Sequence, residues 1–110
     1  MTYKVVEVVK KAVRKIPILV KLTPMVTDIK EIVYASLLAG ADGITLINTV
    51  PALDIDLNFE RPVLGNLIGG QSGPSILCIA QRKVAEAKSE ILKWEREKGK
   101  KVYLVEHIYF

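Results

Sequence analysis

Residues 18–49 read ILVKLTPMVTDIKEIVYASLLAGADGITLINT, and the change of pattern within them decides the fold. Ile18 to Leu22 is a short apolar, β-branched run, the pattern of a buried strand. Thr23-Pro24 ends it. Asp28 followed by Glu31 has the spacing of a capping box. Ile29, Ile32, Val33, Leu37 and Leu38 then fall on one helical stripe, and Gly40 is the expected left-handed closing residue. After the short Gly40–Gly43 connection, Gly43 to Ile47 reads as a second buried strand. Strands that are apolar throughout, joined by a helix, pair in parallel through a right-handed crossover.

The flanks extend the same alternation. Upstream, Val5, Val6, Val9, Ala12, Val13 and Ile16 have helical spacing, with Thr2 as a cap and Pro17 as the stop. Valines favour extended backbone, so a strand over Val5 to Val9 is the alternative. Lys10, Lys11, Arg14 and Lys15 complement a helix dipole and favour the helix. Downstream, Pro51 to Leu67 has no long period; Ile55–Leu57 and Val63–Leu64 can form a small hairpin around Asn58 to Arg61. Pro74 suits the first position of a third helix, after Ser72 or Gly73. Ile76, Ala80, Val84, Ala87, Ile91 and Trp94 are its expected buried face, and Gly99 its end. Val102 to Val105 reads as a third strand, followed by a short aromatic tail. The expectation is one α/β domain over 1–110 with about three parallel strands, three helices and a small hairpin.

Composition narrows the function. Half of the 110 residues are apolar and 25% are charged, as in an ordinary globular domain. The net charge of +4 is carried by lysines interleaved with glutamates, as between Lys83 and Lys101, which reads as solvated helix surface and not a nucleic-acid face. Cys78 is the only cysteine, so neither an intrachain disulfide nor a multi-cysteine zinc site can form; a reducing cytoplasm fits. The uncharged run around Pro62 to Gln81 is broken by glycines and prolines, which argues against a membrane span.

Polar groups just after buried strands are the candidates for chemistry, because α/β proteins bind ligands at the carboxyl ends of their strands. Lys21 is costly to bury unless it meets an anion or reaches solvent along its stem. The Asn48 amide both donates and accepts, which suits a planar imide, although Asn-Thr is also ordinary strand-exit chemistry. Gly69 to Gly73 is either a backbone nest for an anion at a helix start or a plain glycine turn. His107 has no second histidine and no nearby Ser or Cys partner, and reads as structural or disordered. Asp54 and Asp56 share a face without a third ligand, so a metal is not expected.

Val20-Lys21-Leu22-Thr23-Pro24, Ala39-Gly40-Ala41-Asp42-Gly43, Ile47-Asn48-Thr49, Asp54-Ile55-Asp56-Leu57, Pro62-Val63-Leu64-Gly65-Asn66 and Gly69-Gly70-Gln71-Ser72-Gly73-Pro74 together resemble the dihydroorotate dehydrogenase family, especially its class 1 cytosolic branch. A dihydropyrimidine dehydrogenase-like domain is the more distant match. The resemblance runs from Ile16 to about Val84. It implies a segment of a (β/α)8 TIM barrel that binds flavin mononucleotide (FMN) and oxidises dihydroorotate to orotate in pyrimidine biosynthesis. By resemblance, Lys21, Ile47 and Gly73 contact the flavin, and Asn48 and Thr49 the pyrimidine. The family's base, a cysteine or serine on an earlier loop, has no counterpart, and Cys78 does not match it; nor do the two later glycine-rich phosphate loops. Met25, Pro51 and Gln71 also depart from the pattern. A whole barrel needs roughly 250 residues. The resemblance therefore implies a truncated relative with impaired or absent turnover; the alternative is a non-catalytic α/β binding or assembly module. Three parallel strands leave two open edges, so a homo-oligomer or a companion chain is expected.

Overall fold

The structure is a computed structural model, and it describes residues 1–107. Helix α1 (Thr2–Ala12) leads into strand β1 (Leu19–Leu22), then helix α2 (Ile29–Leu38) and strand β2 (Gly43–Leu46). Four short strands follow: β3 (Val50–Ala52), β4 (Ile55–Asp56), β5 (Arg61–Pro62) and β6 (Gly69–Gln71). A 3-10 turn at Pro74–Ile76 runs into helix α3 (Leu77–Lys98), and strand β7 (Tyr103–Glu106) comes last.

The main sheet has the order β1-β2-β7 and is parallel throughout. Strand side chains alternate between faces, and the alternation is visible in burial. Leu22, Ile44 and Leu46 turn toward the helices and are at most 5% exposed. Ile29 and Val33 of α2 and Ile91 of α3 meet them at 0% exposure. The opposite face carries the rows Leu19–Gly43–Tyr103 and Lys21–Thr45–Val105. There Leu19 and Tyr103 are about half exposed. Gly43 is required in its row, because a β-carbon on it would lie 2.7 Å from the Tyr103 carbonyl and 2.5 Å from Leu19. Three parallel strands with helices on one face form one side of a (β/α) barrel, as expected.

The local signals explain most boundaries. Asp28 caps α2, its carboxylate accepting from Lys30 N at 2.9 Å. Gly40 and Gly99 take positive φ of 102° and 64° and end α2 and α3. Helix α1 departs from expectation at both ends. Met1, not Thr2, is its N-cap, without a side-chain bond, and it stops at Ala12 because Val13 leaves helical geometry at φ −118°, ψ 67°. Ile16 is therefore 62% exposed instead of packed. On α2, Leu38 is likewise exposed at 51%. On α3 the buried face is Ala80, Lys83, Ala87, Ile91 and Trp94; Val84 packs half-buried against the core as expected, and Lys83 is buried beside it.

The largest correction concerns residues 50–71. Gly69–Gln71 is an extended strand paired antiparallel with Val50–Ala52, not a nest for an anion. The period of two was hidden because two of its three residues are glycines. The expected hairpin exists, but it pairs Ile55 with Pro62 and Asp56 with Arg61. Asp56 Oδ1 accepts from Asn58 N and Phe59 N, which closes the turn early and stops β4 at Asp56. Pro74 starts a 3-10 turn before α3 instead of α3 itself. Of the aromatic tail, residues 108–110 lie outside the described residues.

Candidate functional site at the carboxyl ends of the sheet

Lys21 sits one residue before the end of β1, paired in register with Thr45 of β2. Its position on the face away from the helices follows from the alternation that buries Leu22. The ladder continues past β2, where Asn48 N donates to Leu22 O at 3.0 Å. This bond carries Asn48 alongside the end of β1. Lys21, Thr23 and Asn48 also border an open cavity of about 350 Å³, but its other walls are Met1, Thr2, Val5 and Val6 at the start of the chain and Ile32 of α2, so it lies toward the helices. Pro24 behind it is buried, and Thr23 Oγ1 accepts from Met25 N at 3.2 Å, which fixes the turn leaving β1.

Ile47 is 2% exposed and places its side chain in the core, so it can offer a ligand only its backbone. Thr49 N donates to Asn48 Oδ1 at 3.0 Å, which fixes the orientation of that amide. The Thr49 side chain packs on Gly70 of β6, where a β-carbon would lie 2.7 Å from Thr49 Cβ. Strand β6 therefore needs a glycine at that point to approach Thr49. Gly73 is buried at φ 93°, ψ −169°, a conformation suited to glycine, and its carbonyl accepts from Ile76 N at 3.2 Å. It shapes the entry to α3 and does not line the Lys21–Asn48 cavity. Of the five residues expected at the site, Lys21 and Asn48 stand side by side at the strand ends, Thr49 continues their line, Ile47 supports it from the core, and Gly73 stands apart.

The other candidates resolve simply. Asp56 is occupied in its own turn. Among the described residues no cluster of three or more His, Cys, Asp or Glu could hold a metal ion. Cys78 is exposed on α3. His107 N donates to Leu46 O at 2.6 Å, extending the β2–β7 ladder.

Sequence reasoning missed Lys83. It is 8% exposed, donates to Val26 O at 3.4 Å and pairs with Glu86 at 3.5 Å. The Lys83 ammonium thus ties α3 to the loop that leaves β1. The signal was present, since residue 83 lies three after Ala80 and four before Ala87, the spacing of a buried stripe. The Glu86 carboxyl is held below its usual range, first by a hydrogen bond from Arg82; burial opposes this, and the charges of Lys83 and Arg82 with a hydrogen bond from Lys83 add to the lowering.

At the far end of the sheet, Asp42 binds Lys10 Nζ at 2.5 Å and Ile18 N at 2.9 Å, and lies 3.6 Å from Lys100 Nζ. Burial alone raises its pKa. The bonds from Lys10 and Ile18 and the charges of Lys10 and Lys100 together outweigh that, leaving the carboxyl below its ordinary value. This end is scaffold, and the polar strand exits are at the other.

Residues 1–93 match the family profile described as Dihydroorotate dehydrogenase. The dihydroorotate dehydrogenase B (NAD(+)) catalytic subunit of Alkaliphilus oremlandii is 47% identical over 89 residues, covering 78% of this chain and 30% of that protein. The protein of the same name from Pyrococcus abyssi is 47% identical over 89 residues, covering 81% and 29%. That from Caldicellulosiruptor saccharolyticus is 51% identical over 85 residues, covering 76% and 28%. The chain spans less than a third of the length of these relatives. A match through both the α2-linked strand pair and the start of α3 means that the chain belongs to the dihydroorotate dehydrogenase family.

Proposed function

We propose that this chain supplies one wall of a pocket for flavin mononucleotide and a dihydropyrimidine such as dihydroorotate. The observation that carries the reading is the Asn48 N–Leu22 O bond, which sets Asn48 beside the end of β1 next to Lys21, at the carboxyl ends of adjacent parallel strands. Their chemistry fits the group: a cation, a hydroxyl and an amide whose oxygen is already oriented by Thr49 N. The flavin, when bound, supplies the two-electron acceptor for oxidation of the dihydropyrimidine to its aromatic product. Lys21 holds a fixed positive charge where an electron-rich ring gathers negative charge, which favours that state over the neutral one. Asn48 presents both a donor and an acceptor to an imide edge, and Thr49 adds a hydroxyl. Ile47 contributes backbone, and Gly73 keeps the path into α3 free of a side chain.

The edges of β1 and β7 carry unpaired strand groups among the described residues, so the working assembly pairs them with a second copy or a companion chain. The word "subunit" in the relatives' names agrees with this reading. No helix among the described residues is long and apolar enough to cross a membrane, and the lone Cys78 fits a cytoplasmic location.

Titration of the purified protein with FMN, followed by absorbance, tests the site. The expected result is a flavin band that is retained and shifts when orotate is added. Lys21→Ala is expected to weaken retention by about ten-fold, or ~1.4 kcal/mol. Absence of binding at high flavin concentration, or equal binding by Lys21→Ala, refutes the reading.

A further inference from the structure

Lys83 is the one charged member of the buried face of α3, among Ala80, Ala87, Ile91 and Trp94. Among the described residues it is also the one buried ionisable side chain. Taking an ammonium out of water is costly, and an apolar side chain of the same length would fill the place without that cost. What the charge adds is its two contacts, Val26 O at 3.4 Å and Glu86 at 3.5 Å. Glu86 supplies the counter-charge from the next turn of the same helix, and Val26 O is the contact that leaves the helix.

That carbonyl belongs to the segment 23–28, which joins β1 to α2. Within the segment the bonds are local. Thr23 Oγ1 accepts from Met25 N at 3.2 Å, Pro24 O from Val26 N at 2.9 Å, and Asp28 Oδ1 from Lys30 N at 2.9 Å. The bond from Lys83 instead comes from 57 residues away. The segment begins directly after Leu22, whose carbonyl accepts from Asn48 N at 3.0 Å. Any shift of the segment is therefore passed to the junction that sets Asn48 beside Lys21.

We infer that Lys83 is a positioning residue for the strand-end site. Its ammonium holds Val26 O, fixes segment 23–28 against α3, and through that segment steadies the Leu22–Asn48 junction. It acts by this tether and not by contact with a ligand. What the junction binds rests on the flavin reading above; the tether itself does not.

Residue-resolved amide exchange, measured by NMR on the purified chain, tests the tether. Lys83→Met keeps the apolar stem and removes the ammonium. Exchange is expected to rise about five-fold or more at Val26 and Asn48. At Asp42 and Gly43, whose N–H groups bind Ile18 O at the far end of the sheet, it is expected to stay within about two-fold of wild type. Lys83→Arg, which returns a charged donor, is expected to restore most of the protection at Val26 and Asn48. With FMN, Lys83→Met is expected to weaken retention by about three-fold or more, although Lys21 is intact. Unchanged exchange at Val26 and Asn48 overturns the proposal. So does a rise of equal size at Asp42 and Gly43, the mark of a side chain that only stabilises the core, or an arginine variant as loose as the methionine one. A wild type that retains no FMN refutes the flavin reading alone, and the exchange rates still decide the role of Lys83.

Discussion

The wall of helices and parallel strands and the arm at residues 53–68 are similar in apolar content and opposite in what they do with it. In the wall, Ile29, Val33, Ile44, Leu46 and Ile91 are no more than 1% exposed, each strand contributing one face and each helix one stripe. In the arm, Leu57 is 85% and Phe59 69% exposed, and the strands are two residues long. A hairpin of that size is marginal without something to pack on. The wall is held by its own core, whereas the arm's shape depends on local devices such as the Asp56 turn and the ribbon from β3 to β6. Hydrophobic content therefore reports stability only where the topology provides a second layer.

Substitutions can separate the two regions. The largest effect is expected at Ile44→Ala, at the centre of the covered face, with a loss of about 2–5 kcal/mol in urea unfolding. A loss below about 1 kcal/mol there would mean that the wall is not close-packed. Gly43→Ala comes next. Its new methyl meets the Tyr103 carbonyl and Leu19, so about 1–3 kcal/mol of overpacking is expected in the same measurement. Asp42→Asn follows, at about 1 kcal/mol at neutral pH, because a charged acceptor shared by Lys10 and Ile18 becomes a neutral one. The wild-type pH dependence should show the same group. Its folded pKa lies below the unfolded value near 3.8, so its contribution is complete above that value and is lost as pH falls through the folded one. Asp42→Asn should flatten the acid limb of the stability profile. The smallest effect is expected at Leu57→Ser, within about 0.5 kcal/mol, since nothing of the folded chain packs over it. A large loss at Leu57 would erase the distinction between the regions.

The wall was legible in the sequence because its signals are periodic and redundant. Apolar runs, the Asp28 cap and the glycines at 40 and 99 each pointed to the same boundaries. The arm was only half legible. Asn58 to Arg61 was found as a turn, but the β3–β6 ribbon was missed because Gly69 and Gly70 carry no side-chain pattern, and the fact that requires Gly70, its approach to Thr49, is tertiary. Lys21 and Asn48 were legible as strand-end polar residues. That they stand side by side depends on the Asn48–Leu22 bond, which no local pattern announces. Lys83 was hidden by its charge, although its spacing placed it inside.

The Asp42 carboxylate also has a consequence for how the chain comes apart. It receives Lys10 from the end of the first helix, the backbone N–H of Ile18 at the start of the first strand, and the charge of Lys100 just after the last helix. These groups are far apart in sequence, and none of them is satisfied there until the middle of the chain is in place. Fraying at either terminus therefore withdraws support from the other, and amide exchange across this end of the sheet should proceed as one concerted opening rather than as two independent ones.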